Sequence, residues 1–492
     1  MRYRTPLIAL VGLTSAGWAS DWHFQGVAFE TGPGQWSRVY GASGDGTTVA
    51  GGGTYPGTSE MGSSPFRWRI GEALERLPGL PGALPVGTGY DLSEDGSYVS
   101  GVMLSISNGD NGTAVRWAPS GVLNLGVLPA YTGSQGYGIS SDGQVVVGWC
   151  SRGPTPSEVP FKWAVGSGLV ALSFLPGTIY GNAVAASDNG KVHGSLILSS
   201  GERAVQWTGG VLEEVGWESA YPSRDGTWLV GNRMGRGTAR SASGDTDLGP
   251  NLWPRAVSTS GTVVGTYAGS PPHDGTTACV WLPGTLDWHD LQDFLTANGA
   301  HVADWWLVLP WGISRGGTTI SGYGKNRFGR WEGWVAADLA QLPGRYVAGR
   351  AILEGIDAES WVDGTIAFEL SGINGTVTRS TCLDSSGNFV LKVPDGWSSF
   401  LLSTKPTHWL KRTIQVDASS GNALGQLLNL KNGDSDGDNE VGIGDYALLS
   451  AAYNTELGDG SWDPLADLNQ DLSVNIADYA ILSANYGSVG DD

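Results

Sequence analysis

The sequence predicts a mainly β protein with three successive parts: a β-propeller of about seven blades, a second β domain and a small helical C-terminal domain. Three observations lead to this prediction. A short phrase containing Ser and Gly recurs along residues 43–322. Apolar and polar residues then alternate over residues 363–417. Two closely similar acidic stretches, each followed by helix-forming residues, lie near the C-terminus.

The recurring phrase reads Ser, any residue, Asp or a small residue, then Gly, and a β-rich run follows it. Asp-Gly between two alternating runs is a strong hairpin signal, because Gly adopts a positive φ at little cost. A repeat of about 35 to 55 residues with an aromatic residue in each unit is typical of propeller blades. We therefore predict a propeller over residues 20–342, with copies of the phrase at Ser43, Ser93, Ser140, Ser187, Ser223, Ser258 and Ser314.

A second phrase ends in Trp and follows most copies of the first. The fifth copy lacks it and reads Ala239-Arg-Ser241, which predicts an irregular blade. A short amphipathic helix is predicted over residues 288–299. These units resemble the extracellular HAF-type repeats of exported bacterial proteins, and the resemblance implies location more than activity. The second phrase ends at Trp68, Trp117, Trp163, Trp207, Trp281 and Trp334.

The predicted propeller contains no pattern that points to catalysis. The Asp of each phrase is interpreted as a turn former that bonds to nearby backbone N–H groups. The six His residues show no metal-ligand spacing, and no Gly-x-Ser-x-Gly motif occurs. A dense aromatic cluster leaves two interpretations open, blade core or a stacking platform for sugar rings, and comprises Trp305, Trp306 and Trp311.

The pattern changes over residues 343–430, where short alternating runs are separated by turn clusters. The phrase at residues 384–396, Asp-Ser-Ser-Gly-Asn-Phe followed by Leu, Val and Pro-Asp-Gly, resembles transthyretin-like or carboxypeptidase-regulatory-like modules. The resemblance implies a β-sandwich that acts as a spacer.

Two twelve-residue stretches, 434–445 and 467–478, have the spacing of a calcium-binding loop. In such loops side chains at positions 1, 3 and 5, a carbonyl at 7, often a water at 9, and a bidentate carboxylate at 12 surround the ion. We predict two Ca²⁺ ions; the alternative is a pair of solvated acidic turns without metal. The predicted ligands are Asp434, Asp436, Asp438, Glu440 and Asp445 in one loop, with Gly442 at position 9, and Asp467, Asn469, Asp471, Ser473, Asn475 and Asp478 in the other.

Position 6 of such a loop favours Gly, because the chain turns sharply there. The sequence has Asn439 and Leu472 instead. Asn adopts a left-handed conformation at low cost, whereas Leu is expected not to. The second loop was therefore expected to fit the pattern less well than the first.

The duplicated loop-helix pattern resembles a type I dockerin over residues 431–487, with a short tail at 488–492. The resemblance implies a cohesin-like partner that contacts the two helices following the loops. Those helices are expected to start at Asp445 and Asp478. Because the two copies are so alike, either one could bind, in two related orientations. The residues expected at the contact are Ile443, Gly444, Ile476 and Ala477.

Composition and charge restrict the cellular location and the partners. Asp and Glu outnumber Lys and Arg by 48 to 28, which argues against nucleic acid and anionic membranes as partners. Arg2, Arg4, an apolar run at 7–13 and small residues before Ala19 predict a secretory signal over residues 1–19. No later run is long enough to insert in a membrane. Of the three cysteines, Cys150, Cys279 and Cys382, at least one is expected to lack an intramolecular partner, and a Cys150–Cys279 pair is one open choice.

These patterns favour an extracellular or cell-surface, non-catalytic binding protein, whose propeller presents a surface for a polysaccharide or another ligand. The first alternative is a carbohydrate-active enzyme, a glycoside hydrolase or lyase. It would need two carboxylates roughly 5 to 10 Å apart in a cleft. The second alternative is a purely structural envelope protein.

Overall fold

The computed structural model describes residues 21–29, 34–55, 63–82, 85–104, 112–151, 157–268, 275–285, 287–356 and 365–492. The predicted signal peptide, residues 1–19, lies outside these ranges, as does His273. Within them, the helices are all too short or too polar to cross a lipid bilayer.

Seven four-stranded antiparallel sheets occupy the described part of residues 22–338, and together they are called the ring here. In six of them, four consecutive strands pair in chain order; the seventh adds the first strand of the chain to three later ones, in the order β1-β28-β27-β26. The strands are β1 (Trp22–Val27), β2 (Ser37–Ala42), β3 (Thr48–Gly53), β4 (Ser64–Arg69), β5 (Leu74–Arg76), β6 (Gly87–Leu92), β7 (Val99–Leu104), β8 (Gly112–Ala118), β9 (Gly121–Gly126), β10 (Gly133–Ile139), β11 (Val145–Ser151), β12 (Glu158–Ala164), β13 (Gly168–Ala171), β14 (Thr178–Ala186), β15 (Lys191–Leu198), β16 (Gly201–Thr208), β17 (Val211–Glu214), β18 (Ser219–Pro222), β19 (Leu229–Arg233), β20 (Arg236–Ser241), β21 (Gly244–Pro250), β22 (Leu252–Val257), β23 (Val263–Ala268), β24 (Thr276–Trp281), β25 (His289–Asp290), β26 (Trp306–Ile313), β27 (Thr319–Lys325) and β28 (Trp331–Asp338).

Each sheet of the ring packs against the next, and the last packs against the first. One central cavity of about 140 Å³ is lined by the innermost strand of each of the seven sheets, namely β2, β6, β10, β14, β18, β22 and β26. The six Trp residues that end the second phrase are all buried. In the fifth sheet Ala239 lies on β20, and the sheet still has four strands. The arrangement is propeller-like, as the period of the sequence predicted.

The Ser-Asp phrases form the tight turns between the first and second strands of the sheets. Ser43 Oγ donates to Asp45 Oδ1 at 2.7 Å, and the backbone N–H of Thr47 donates to the same oxygen at 2.9 Å. The backbone N–H of Thr48 in turn donates to Ser43 Oγ at 3.0 Å. The Gly of every copy has a positive φ, between 68° and 88°. The Asp residues are therefore held within their own turns.

The predicted helix lies between the sixth and seventh sheets as α1 (Leu291–Ala297). Asp290 caps its N-terminus by accepting from the backbone N–H of Gln292 and Asp293, and Gly299 follows it with φ of 90°. The helix buries its apolar residues in the same core cluster as Trp305. It therefore belongs to the ring core.

A short 3₁₀ helix, Leu339–Gln341, leads from the ring into a two-sheet β domain, called the sandwich here. One sheet has the order β32-β29-β35 and the other β31-β30-β33-β34. A shared apolar core includes Phe368, Phe389 and Trp409. The strands are β29 (Tyr346–Leu353), β30 (Thr365–Gly372), β31 (Gly375–Cys382), β32 (Asn388–Lys392), β33 (Ser399–Thr404), β34 (Arg412–Asp417) and β35 (Ala423–Leu430).

The C-terminal residues 432–492, called the tail here, contain two helices and one small ladder. The helices are α2 (Ile443–Ala452) and α3 (Ile476–Asn485), and β36 (Thr455–Glu456) pairs with β37 (Ser473–Val474). Leu449 and Leu482 from the two helices share a core cluster with Leu410 of the sandwich. The tail therefore folds against the sandwich and shares a core with it.

All three cysteines are buried and free. Cys150 and Cys279 belong to different core clusters of the ring, and Cys382 lies on β31 of the sandwich. The Cys150–Cys279 pairing that the sequence left open is therefore not formed.

The ring and the sandwich meet at β1. The backbone N–H of Gly26 donates to Asp384 Oδ2 at 2.9 Å, and Gln25 Nε2 donates to the carbonyl of Cys382. Asp384 Oδ1 also accepts from the backbone N–H of Ser386 at 2.9 Å and from that of Asn388 at 2.8 Å. Burial and the nearby Asp384 carboxylate raise the pKa of Glu332 well above its usual range. The neutral form of Glu332 is therefore favoured beside Asp384.

Replacing Gly26 with Ala is expected to destabilise this contact, because the new Cβ would lie 2.7 Å from Cβ of Asp384 and against the Glu332 carboxyl. Both neighbours are buried, so they have little room to move. We expect a loss of about 1–3 kcal/mol, seen as a lower midpoint in calorimetric unfolding of the full chain. Gly460→Ala is the control, because open space surrounds that position. An unchanged midpoint for Gly26→Ala would contradict the contact.

Candidate functional site

The first acidic loop folds around the carboxylate at its last position. Asp445 Oδ1 accepts from the backbone N–H of Asp436 at 3.0 Å, and Oδ2 accepts from the backbone N–H of Gly442 at 2.6 Å. Asp434 Oδ2 accepts from the backbone N–H of Asn439 at 3.0 Å. These bonds bring together Asp434, Asp436 and Asp445, which each offer one oxygen within 4.8 Å of the others.

The donor set of this loop fits a hard cation. Asp434 is fully buried, and its Oδ1 has no hydrogen-bond partner among the described residues. A buried, unpaired carboxylate oxygen is costly unless a cation or donor reaches it. Ca²⁺ binds such oxygens in a flexible cage of six to eight ligands. Asp438 and Glu440 lie further out: Asp438 Oδ1 accepts from the backbone N–H of Glu440 at 2.9 Å.

The second loop repeats these hydrogen bonds at the same positions. Asp478 accepts from the backbone N–H of Asn469 at 3.2 Å and of Asn475 at 2.7 Å. Asp467 Oδ2 accepts from the backbone N–H of Leu472 at 2.9 Å, and Asp471 Oδ1 accepts from that of Ser473 at 2.9 Å. The second loop thus shares the hydrogen bonds of the first, whereas among the described residues three carboxylates come within 4.8 Å of one another in the first loop alone.

Burial and neighbouring carboxyl groups raise the pKa of one predicted ligand in the second loop. Burial is the main cause that raises the pKa of Asp467 to about 7, and the charges of Asp478 and Asp471 raise it further. A divalent cation among these groups would favour their ionised forms and would displace the proton. Asp467, Asn469, Asp471 and Asp478 would hold such an ion, with the Ser473 carbonyl and Asn475 beside them.

Position 6 has a left-handed backbone in both loops, with φ of 72° at Asn439 and 73° at Leu472. The expectation that Leu472 does not adopt this conformation is therefore wrong. The reason is local: hydrogen bonds hold the chain on both sides of the turn, since the backbone N–H of Leu472 donates to Asp467 Oδ2 and that of Ser473 donates to Asp471 Oδ1, each at 2.9 Å. These bonds inside the loop offset the steric cost to a branched side chain.

The helices after the loops start two residues earlier than expected, at Ile443 and Ile476. Gly442 and Asn475 occupy the N-cap positions, and Asp445 and Asp478 fall in the first turn. Each Asp reaches back to the backbone N–H of its cap residue, as in a capping box. The residue predicted as the last ligand of each loop therefore lies in the first helical turn and does not start the helix.

The two helix starts present an exposed apolar surface, called the helix surface here. Ile443 is 73% exposed and Ile476 is 65% exposed. Tyr446 and Tyr479, one turn further along each helix, are also exposed and meet edge to face with centroids 6.4 Å apart. Gly444 and Ala477, predicted for the same contact, are half-buried beside the isoleucines. The surface therefore contains one set of residues from each copy.

The sandwich places a lysine against a carboxylate of the first loop, whereas it approaches the second loop through His408 Nε2, 3.4 Å from Gln470 Nε2. Lys405 Nζ lies 2.6 Å from Asp434 Oδ2, and that carboxylate is fully buried. His408 Nδ1 and Asn432 Oδ1 lie 2.9 Å apart, and Asn432 Nδ2 donates to the carbonyl of Leu468 at 2.7 Å. Because Lys405 is far from the loop in sequence, no spacing pattern could have found it.

The aromatic cluster of the ring divides between two environments. Trp305 is buried and packs edge to face on Phe24 at 5.1 Å, which agrees with the blade-core interpretation. Trp311 instead lines the central cavity. Trp306 lies between them at the start of β26. The cluster therefore contributes one residue to the cavity and does not form a flat platform.

The carboxylate that lines the central cavity, Asp91, is paired with an arginine. Asp91 Oδ1 lies 3.3 Å from Arg224, while Glu94 and Asp188, outside the cavity lining, bond to Arg315 at 2.9 and 2.6 Å. The buried pair formed by Glu332 and Asp384 lies between ring and sandwich instead. Across the described ranges, neither arrangement places an open pair of carboxylates in the cavity, as glycoside hydrolysis would require.

No protein-family model matches the sequence, and no curated protein matches it. A solved type II cohesin–X-dockerin complex from Acetivibrio cellulolyticus is similar over 30% of this chain and 98% of its own, with 20% identity and a TM-score of 0.25. An oligogalacturonate lyase from Vibrio parahaemolyticus is similar over 65% of this chain and 98% of its own, with 12% identity and a TM-score of 0.43. A putative TolB from Agrobacterium tumefaciens is similar over 56% and 89%, with 12% identity and a TM-score of 0.33.

The Lys405 contact predicts that the sandwich weakens calcium binding at the first loop, because the ammonium group competes with the ion for Asp434. In an Asp478→Ala background, only the first loop should titrate. There, Lys405→Met is expected to raise calcium affinity roughly tenfold by calorimetry of the full chain. Lys431→Met is the control, because that lysine bonds to Ser488 Oγ. Equal affinity with and without Lys405 would contradict the competition.

Proposed function

We propose that this chain is an exported calcium-binding protein whose residues 431–487 form a dockerin that docks onto a cohesin-like partner. Its ring is a seven-bladed propeller of HAF-type repeats that presents a ligand surface. The sandwich is the spacer between propeller and dockerin. The extracellular or cell-surface location rests on the signal peptide predicted at residues 1–19.

The observation that carries the proposal is the shared hydrogen bonding of the two loops. In both, the carboxylate at position 12 accepts from the backbone N–H groups of positions 3 and 9. In both, the carboxylate at position 1 accepts from position 6, and that at position 5 accepts from position 7. Solvated acidic turns have no reason to share four such contacts, whereas a common metal cage requires the same oxygens at the same places.

The bound ions would fix the helix surface. Asp445 and Asp478 each belong both to a loop and to the first turn of a helix. A cation in the loop therefore positions the start of the helix, where Ile443 and Ile476 are exposed. Exposed apolar side chains at a rigid site are typical of protein–protein contacts. Calcium thus supports partner binding by ordering the surface, without contacting the partner.

Calorimetric titration of the full chain with calcium tests the metal assignment. Two sites are expected, with dissociation constants of roughly 10⁻⁴ to 10⁻³ M as in other extracellular modules. Asp445→Ala and Asp478→Ala should each remove one site, and the double variant should remove both and lose hydrogen-exchange protection in α2 and α3. Asp395→Ala, at an exposed turn of the sandwich, is the control.

The assignment fails if the double variant keeps the calcium heat of the parent chain. It also fails if α2 and α3 are protected equally in calcium and in EDTA. In that case the acidic loops are turns without metal, and the ring and sandwich are unaffected by the result.

Capture by a panel of immobilised cohesin modules tests partner binding. With calcium, Ile443→Asp and Ile476→Asp should each retain capture, because the other copy can bind in the related orientation. The double variant should lose capture by roughly a hundredfold or more, as expected when central apolar anchors are removed. Ile373→Asp is the control, because Ile373 is 98% exposed on a turn of the sandwich. Capture that survives EDTA or the double substitution would reject this docking mode; if no cohesin binds, the tail merely folds on calcium.

A further inference from the structure

The central cavity of the ring is lined by an aromatic belt, and the innermost strands of six sheets supply its members. Tyr40 and Tyr90 have centroids 5.3 Å apart, Tyr90 and Tyr137 5.0 Å, and Tyr40 and Trp311 5.8 Å. Arg255 continues the belt, with its guanidinium 5.5 Å from the Trp311 ring and its Nη1 3.2 Å from the hydroxyl of Tyr221. Here, "belt" means these six residues.

Another arginine that lines the cavity joins the ends of two inner strands, β2 and β6. Arg224 Nη2 donates to the carbonyls of Ala42 at 2.9 Å and Leu92 at 2.7 Å, and it lies 3.3 Å from Asp91 Oδ1. Asp91 also accepts from the backbone N–H of Ile139 at 3.1 Å. Arg224 and Asp91 therefore neutralise each other and satisfy each other's hydrogen bonds across the ring.

Arg255 leaves a positive charge in the cavity without a counter-ion. No carboxylate of the described residues lies within ion-pair distance of its guanidinium. Its Nε is buried and has no partner there, and the same is true of Trp311 Nε1. Both residues also line the cavity, so this side of it has N–H donors for which the described residues supply no acceptor.

From these contacts we propose that the central cavity binds a small organic anion with one carboxylate on a single six-membered ring. The carboxylate accepts from Arg255 and Trp311, and a guanidinium is the side chain best suited to bind it with two parallel bonds. Tyr40, Tyr90 and Tyr137 line the space for the ring. A cavity of about 150 Å³ holds one benzene, so the 140 Å³ found here suits a ligand with a single ring and excludes one with two.

The charge of the whole protein makes this site distinctive. The formal net charge is −20, so the outer surface repels anions in general. Binding in the cavity would therefore depend on the local charge of Arg255. Burial raises the pKa of Tyr137, with further upward contributions from Tyr221, Tyr90 and Tyr40, so the phenol stays neutral beside the anion.

This inference names the ligand class that the proposed ligand surface of the ring leaves open, and it rests on that part of the proposed function alone. It requires neither calcium nor the helix surface. Loss of small-anion binding would leave calcium titration and cohesin capture unchanged, so the two failures are distinguishable.

Calorimetric titration of the full chain with two matched pairs of probes tests the proposal. Glucuronate is compared with glucose, and benzoate with benzyl alcohol. At least one carboxylate should bind roughly ten- to a hundredfold more tightly than its neutral counterpart, as expected for a charge-assisted contact. The arm that binds decides whether the ring is a sugar or an aromatic acid.

Variants then locate the binding. Arg255→Gln should abolish the preference for the carboxylate, whereas Arg203→Gln, at an exposed surface ion pair, should leave it unchanged. Trp311→Phe keeps an aromatic ring and removes only the Nε1 donor, so it should weaken the carboxylate several-fold and leave the neutral probe unaffected. Trp311→Phe also tests the location of the carboxylate if the Arg255→Gln variant does not fold. The proposal is overturned if neither carboxylate binds, or if the neutral probes bind as tightly as the carboxylates. It is also overturned if the two cavity variants leave carboxylate binding unchanged.

Discussion

The pairing of β1 with β28 is the contact on which the rest of the structure depends. It joins the N-terminal strand to the last strand of the ring, so the seventh sheet contains both ends of the ring sequence. Phe24 of β1 lies in the core with Trp305 and Trp334, while Gly26 donates to Asp384 of the sandwich. A single strand therefore closes the ring and attaches the next domain.

Packed contacts continue from this strand to the C-terminus. Val27 of β1 belongs to one apolar cluster with Tyr346 and Val390 of the sandwich. On its other side, the sandwich contributes Leu410 to the core of the tail, and Asn485 Nδ2 of α3 donates to Glu354 Oε2 at 2.8 Å. The sandwich, which the resemblance suggested is a spacer, is thus packed against the ring on one side and against the tail on the other. A partner held by the tail would be joined to the ring through buried contacts.

Much of the candidate site follows from spacing, because a loop of fixed length places its ligands at fixed points. The acidic residues at positions 1, 3 and 12 of the first loop do come together, whereas the conformation of Leu472 was predicted wrongly. Strands β29 and β35 lie outside the alternating stretch 363–417, and the sequence pattern did not predict them. Neither alternates as cleanly as β30, and the two are stabilised by pairing with each other in parallel. Local preference is a weak guide wherever a distant strand supplies the hydrogen bonds.

The sequence by itself determined the mainly β fold, the turns of the ring and the duplicated acidic loops. Each of these depends on residues close together in the chain, such as Ser43 and Asp45, whose hydrogen bond is local. Only the tertiary structure decided that Lys405 reaches Asp434, and that Arg255 and Trp311 meet tyrosines from four other sheets around one cavity. Those contacts join residues far apart in sequence, and their geometry follows from how the sheets pack, which residue spacing does not encode.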